Sequence, residues 1–134
     1  MTLLIFIPTY NEAENVRNIY AEIKKTSPDA DLLFLDDNSP DGTGKILDLL
    51  SQSDEKLKII HRRGKLGIGS AHQEGIRYAY EKKYDELLTM DCDFTHSPSL
   101  ISVFRKEDFR YSVVVGSRYM NPDSLTSWNV YRKF

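Results

Sequence analysis

Cysteine is nearly absent from the 134-residue chain: Cys92 is the only one. No internal disulfide can form, so stability has to come from packing, and a reducing compartment is compatible with that. Charge bias is absent too. Lys and Arg number 18 against 20 Asp and Glu, a formal net charge of -2, so the basic footprint of a nucleic-acid binder is missing and no nucleic-acid partner is expected. No apolar run approaches the roughly 20 residues that cross a bilayer. Residues 1–7 are apolar, but no basic segment precedes them and Pro8 cuts them short, which reads as neither signal peptide nor membrane span. His61, His72 and His96 have no metal-ligand spacing and read as surface or packing residues. The nicotinamide fingerprint G-x-G-x-x-G is missing after the first apolar run, and after Gly67-Ile68-Gly69 the third glycine's place is held by His72. Gly44-Lys45-Ile46 is not a P-loop. Internal repeats, low-complexity tracts and linkers are also lacking, and the length suits one domain with one core.

What the chain does have is a regular alternation. Leu3-Leu4-Ile5-Phe6-Ile7, Leu32-Leu33-Phe34-Leu35, residues 57–60, the run at Leu87 and Val113-Val114-Val115 read as buried strands. Between them, Val16, Ile19, Tyr20 and Ile23 have helical spacing to about Lys25. Ile46, Leu47, Leu49 and Leu50 form a second helix face, and Ile76, Ala79 and Tyr80 a third. A further helix covers residues 100–104. Asn11 with Glu14 has capping-box spacing, and Ser70 with Gln73 caps the third helix. The order βαβαβαβαβ, with strands apolar throughout, predicts an α/β fold: an open, mostly parallel sheet with helices on both faces.

The centre of the pattern is Asp91-Cys92-Asp93, where an apolar run ends in two carboxylates one residue apart. Ser97-Pro98 then restarts a helix, with Ser as N-cap and Pro at the first helical position. The carboxyl edge of an open α/β sheet is where ligands bind. Two close carboxylates repel unless a cation or proton sits between them, and all-oxygen ligation suits Mg²⁺ or Mn²⁺. A solvated loop is the competing reading. Asp29-Ala30-Asp31 repeats the motif, but it precedes an apolar run and is assigned to a surface turn. Asp91-Cys92-Asp93-Phe94-Thr95 also fits the D-x-D-x-T of haloacid-dehalogenase-like phosphatases, in which the first aspartate attacks phosphorus. That enzyme needs further strands carrying a Ser or Thr, a Lys and more acids, for which little chain remains. Cys92 reads as a small buried hydrophobe between the two acids.

Five separated motifs occur in one order: Ile7-Pro8-Thr9-Tyr10-Asn11-Glu12, Asp36-Asp37-Asn38-Ser39-Pro40-Asp41-Gly42-Thr43, Lys65-Leu66-Gly67-Ile68-Gly69-Ser70-Ala71, Asp91-Cys92-Asp93 and Gly116-Ser117-Arg118-Tyr119. Together they resemble glycosyltransferase family 2, with its GT-A fold. The Ser-Pro-Asp-Gly-Thr turn and the ending Trp128…Tyr131-Arg132-Lys133 resemble the dolichol-phosphate or polyprenol-phosphate mannosyltransferase branch.

The resemblance implies roles. Pro8, Tyr10 and Glu12 match positions near the nucleotide base and ribose, with Tyr10 offering a flat face; packing as a half-buried turn residue is its other reading. Asp37 matches the residue that hydrogen-bonds the base, supported by Asp36, and the same acidic turn can serve a helix N-terminus. Asp91 and Asp93 match the metal pair, with Mg²⁺ or Mn²⁺ completed by donor diphosphate oxygens. Thr95 stands where family members often carry Gln or Ser. Arg118 matches a phosphate-side residue of the reaction centre, against a surface ion pair, and Arg132 one near the acceptor phosphate. Lys65 and its glycines approach phosphate or form a solvated loop.

The implied reaction is inverting transfer of a hexose to a polyprenyl or dolichyl phosphate. GDP-mannose is the first candidate donor and a UDP-sugar the second. A phosphate acceptor is already anionic at neutral pH and needs no general base. A nucleotide-diphosphate-binding piece without transferase activity is the alternative. Residues 1–134 read as one nucleotide-sugar-binding domain that stops short of its C-terminal closing elements. An uncovered sheet edge predicts self-association, and a cytoplasmic location, peripheral at a membrane face, is expected.

Overall fold

A computed structural model of the protein describes residues 2–92 and residue 101, all within the compact unit Met1–Val103. Strands β1 (Leu3–Thr9), β2 (Asp31–Asp36), β3 (Leu57–His61) and β4 (Glu86–Thr89) alternate with helices α1 (Val16–Thr26), α2 (Thr43–Ser51) and α3 (Ile68–Glu81). The strands form one parallel sheet in the order β3-β2-β1-β4. An open, parallel α/β sheet is thus what the alternation predicted. The helix expected at residues 100–104, apart from Ile101, and the strand at 113–115 lie outside the described residues.

Successive side chains of a strand point to opposite faces, and β1 divides its residues cleanly. Leu3, Ile5 and Ile7 join Val16, Ile19 and Ile23 of α1 and Leu47 of α2 in one apolar layer. Leu4 and Phe6 join Leu33, Leu35, Ala71 and Ala79 of α3 in the other. A strand buried on both faces needs apolar side chains at every position, which is why β1 and β2 read as unbroken runs. Tyr20 pins α1 to the turn before β3: its hydroxyl donates to Asp54 Oδ2 at 2.6 Å, and burial, followed by that carboxylate, pushes its pKa up to about 12.

The structure bears out the expected face of α1 and corrects parts of the other two. On α3 the buried residues are Ala71, Gly75 and Ala79, a small-residue stripe at four-residue spacing, whereas Ile76 is 57% and Tyr80 85% exposed. The stripe lets the helix backbone settle onto Phe6: a Cβ at position 75 would lie 2.7 Å from that ring. Once small residues face the sheet, the larger apolar ones turn outward. On α2, Leu47 is buried and Leu49 is 57% exposed.

The expected caps of α1 and α3 are corrected as well, and the one at Ser97-Pro98 lies outside the described residues. Asn11 takes a left-handed φ of 56°, and α1 begins only at Val16, where the Glu12 carbonyl accepts the N–H groups of Asn15 and Val16. Helix α3 starts at Ile68 behind Gly67, whose φ of 95° favours glycine, so Ser70 sits inside the first turn. The Asp29-Ala30-Asp31 turn is less superficial than expected. Ala30 is fully buried and Asp31 opens β2, where it accepts the Tyr84 hydroxyl.

Gly75→Val should lower the unfolding free energy by about 1–3 kcal/mol, the usual cost of overpacking. Chemical denaturation measures it, and an unchanged midpoint would show that α3 can slide away from Phe6.

Candidate functional site

All strands run the same way, so their carboxyl ends form one edge. The chain steps outward from β1 to β2 to β3, then jumps back past β1 to β4. The direction of winding therefore reverses between β1 and β4, and such a switch point opens a crevice at the carboxyl edge. Tyr10 and Glu12 follow β1 on one side of it, and Asp91 follows β4 on the other. Tyr10 is 38% exposed. Asp91 is half-buried, and next to it the Met90 N–H donates to the Phe6 carbonyl at 3.1 Å, extending the β4–β1 ladder. Cys92 is buried in the core layer, as expected. Pro8 is half-buried within β1, opposite Leu35 of β2.

The acidic turn after β2 does more structural work than its sequence announces. The buried Asp36 carboxylate accepts the Thr9 hydroxyl at 3.1 Å, the Ser39 hydroxyl at 2.6 Å and the Ser39 N–H at 3.1 Å. Ser39 Oγ in turn accepts the Asn11 N–H at 2.9 Å. Thr43 Oγ1 accepts the Glu12 N–H, and Asp41 Oδ2 the Ala13 N–H, each at 3.0 Å. The Ser-Pro-Asp-Gly-Thr turn thus holds three successive N–H groups of the loop that carries Tyr10 and Glu12. Burial by itself raises the Asp41 pKa, but hydrogen bonds from the Thr43 hydroxyl and the Ala13 and Thr43 N–H groups outweigh it and hold the carboxyl below its ordinary value.

Asp37, nominated for the base, is 6% exposed and is met by a residue that sequence reasoning missed. Arg62 forks onto it, Nε to Oδ1 at 2.5 Å and Nη2 to Oδ2 at 2.8 Å. The same guanidinium donates to Ser70 Oγ and, at 3.5 Å, to the Gly67 carbonyl. Both side chains of the pair are under a tenth exposed, and the Asp37 hydrogen bonds raise the Arg62 pKa further. The available signal was Arg62 directly after the β3 run, in register to reach the end of β2. Lys65, in the same loop, places Nζ 4.9 Å from the centroid of the Tyr10 ring.

A cleft of about 410 Å³ lies beside this site, between the ends of β2 and β3 and the start of α2, lined in part by Asp36, Ser39, Lys45, Asp48 and His61. Of the described residues singled out in the sequence as site residues, Asp36 alone lines it. His61 Nε2 pairs with Asp48 Oδ1 at 2.8 Å, and the His72 ring meets Phe6 edge-on, so both histidines serve surface and packing roles as expected. Asp93, Thr95, His96, Arg118, Trp128 and Arg132 lie outside the described residues. Among the described residues no group of three or more His, Cys, Asp or Glu is placed to hold a metal ion, and no helix is long and apolar enough to cross a membrane.

The model of glycosyl transferase family 2 matches residues 4–134. The chain belongs to this family. Membership classes it as a glycosyltransferase and sets aside the phosphatase reading of Asp91 and Asp93. Among similar proteins, an undecaprenyl-phosphate mannosyltransferase of Micrococcus luteus is 35% identical over 133 residues, covering 99% of this chain and 55% of the relative. A polyprenol monophosphomannose synthase of Mycolicibacterium smegmatis is 35% identical over 127 residues, covering 93% and 48%. The chain therefore spans about half the length of these curated relatives. Among solved structures, Staphylococcus aureus TarS 1-349 matches with a TM-score of 0.57 at 20% identity, covering 78% of this chain and 32% of that one. The mannosyltransferase PcManGT of Pyrobaculum calidifontis, in complex with GDP-Man and Mn²⁺, matches at 0.53 and 21% identity, covering 57% and 24%. At these identities the structural likeness shows the fold alone.

Two outcomes follow for the family 2 site. Because the folded Asp41 pKa lies below its unfolded value, its stabilising contribution is complete above the ordinary carboxylate pKa of about 4 and is lost as pH falls through the depressed value. Thermal melts of the wild type should fall more steeply below about pH 4 than those of Asp41→Asn; parallel curves would remove Asp41 from the acid transition. Arg62→Met should cost about 3 kcal/mol, because it strands the Asp37 charge, and adding Asp37→Leu should recover most of it. A loss in the double variant equal to the sum of the losses in Arg62→Met and Asp37→Leu alone would mean that the pair is not coupled.

Proposed function

We propose that the chain is the donor-binding part of a metal-dependent, inverting glycosyltransferase that moves mannose from GDP-mannose to a polyprenyl or dolichyl phosphate. The observation that carries this is the placement of Tyr10 and Glu12 after β1 and of Asp91 after β4, at the carboxyl edge where the winding reverses. The donor and acceptor classes are taken from the two relatives at 35% identity, both named for mannose and a polyprenyl phosphate. Residues 1–134 form a single nucleotide-sugar-binding domain in this proposal.

Tyr10 presents its ring to the base, and Pro8 and Glu12 hold the ribose side. Asp37 supplies acceptor lone pairs to base N–H donors beyond those engaged by Arg62, since each carboxylate oxygen has two. Asp36 keeps the loop in place. The donor set fits a hard divalent cation: a half-buried carboxylate at a strand end, followed two residues later by another, offers only oxygen. Asp91 and Asp93 would hold Mg²⁺ or Mn²⁺, which supplies charge to the departing diphosphate. Arg118 shares that charge at the reaction centre, and Arg132 receives the acceptor phosphate. The acceptor oxygen is already anionic, so none of these residues has to remove a proton. The working protein then sits at the cytoplasmic face of a membrane, where a nucleotide sugar and a lipid phosphate meet.

Mn²⁺ or Mg²⁺ should therefore raise the affinity for GDP, and UDP is the comparison nucleotide. Asp91→Asn and Asp93→Asn should each remove most of that gain in calorimetry, while Asp29→Asn keeps it. Equal GDP affinity in excess chelator would sink the metal role, and no transfer of radiolabelled mannose to a polyprenyl phosphate by the protein joined to any downstream sequence would sink the activity.

A further inference from the structure

Tyr10 and Lys65 come from loops on strands that are not neighbours: β2 lies between β1 and β3. Their meeting needs the loop after β3 to reach over the end of β2, and the structure shows what holds it there. At its root Arg62 is forked onto Asp37, and Nη2 of the same guanidinium reaches the carbonyl of Gly67 at the loop's other end. The positive φ of Gly67 then turns the chain into α3. With both ends tied, exposed Lys65 projects toward β1 and sets Nζ 4.9 Å from the centre of the Tyr10 ring, inside the range of a cation–π contact.

The flat face offered to a nucleobase is thus already covered by a cation. A base and an ammonium cannot share one face of one ring. We infer that Lys65 makes this site selective for nucleotides that carry a diphosphate, by guarding the Tyr10 face and yielding it only when an anion takes up the ammonium. This rests on the donor-site reading of Tyr10. A neutral nucleoside has to displace Lys65 without bringing an anion to receive it. A nucleoside diphosphate brings the anion with it, and the flexible four-carbon stem lets a compact point charge swing from ring to phosphate. Lys65 is then a specificity-determining residue with opposite effects on two ligands that share one base.

Calorimetric titration of the full chain with guanosine and GDP, and with uridine and UDP, tests this in excess chelator, where no metal carries the phosphates. Loss of an exposed cation–π contact is worth roughly two- to five-fold, and loss of a hydrogen bond to a charged group about ten-fold or more. Lys65→Ala should therefore bind the nucleoside roughly two- to five-fold more tightly and the diphosphate about ten-fold more weakly. Lys65→Arg, which keeps charge and stacking, should preserve the wild-type order. Lys65→Ser serves as a second deletion if the alanine variant shifts the melting temperature. Nucleoside affinity that is unchanged or weakened in both deletions overturns the inference while leaving the donor site standing. A wild type that binds neither GDP nor UDP, with or without Mn²⁺, overturns the donor-site reading and the inference together.

Discussion

A carboxylate buried at the end of a strand has to be satisfied, and the way Asp36 is satisfied fixes the geometry of the carboxyl edge. With 2% of its surface exposed, it needs donors from the protein, and it takes them from Thr9 at the end of β1 and Ser39 in its own turn. An unmade hydrogen bond here would cost roughly 1–3 kcal/mol or more for a charged group. Once Ser39 is committed to Asp36, its oxygen is oriented to receive Asn11, and Thr43 and Asp41 receive the next two N–H groups. A loop that would otherwise carry unpaired backbone donors becomes a fixed ledge for Tyr10 and Glu12. The left-handed φ of Asn11 is part of the same arrangement, since it points successive N–H groups toward the turn.

The sheet was legible from composition alone because a strand buried on both faces leaves no room for polar residues, and the runs ending at Thr9 and Asp36 follow that rule. Helix faces were less legible. Periodicity weights large apolar residues, so it chose Ile76 and Tyr80 over Gly75. Close packing favoured the smaller residue, because Phe6 fills the space a side chain on α3 would need. Caps failed for a related reason: Asn11 and Glu14 have capping spacing, but tertiary hydrogen bonds from the neighbouring turn claim the Asn11 and Glu12 N–H groups first.

For the candidate site, strand-end location put Tyr10, Asp37 and Asp91 at the carboxyl edge of the sheet, where the structure has them. It missed Arg62, because an arginine in a basic glycine-rich loop looks like a solvated charge until the fold brings Asp37 against it. Asp41 was read as a turn former, and its role as a receiver for the Ala13 N–H becomes visible only once β1 and β2 are paired in register. Both omissions are long-range partnerships, which local spacing does not encode.

Taken together, the edge contains acidic groups whose charges are balanced to different degrees. Asp36 is hydrogen-bonded by hydroxyl and amide donors, and Asp37 is paired with a fixed guanidinium. Arg62 cannot easily leave: its other nitrogens hold Ser70 and Gly67, so separating it from Asp37 would also loosen the start of α3. Among the described residues, Lys65 is held by a weak contact to a ring. The rigid cation therefore organises the loop, and the loosely held one is free to exchange partners. Arg and Lys suit these two tasks through their chemistry, a planar fork with fixed donors against a point charge on a flexible stem. In the proposed donor site, an incoming diphosphate would meet a loop whose root stays fixed while its tip gives way, so recognition of charge need not disturb the knot at Asp36 on which the ledge carrying Tyr10 depends.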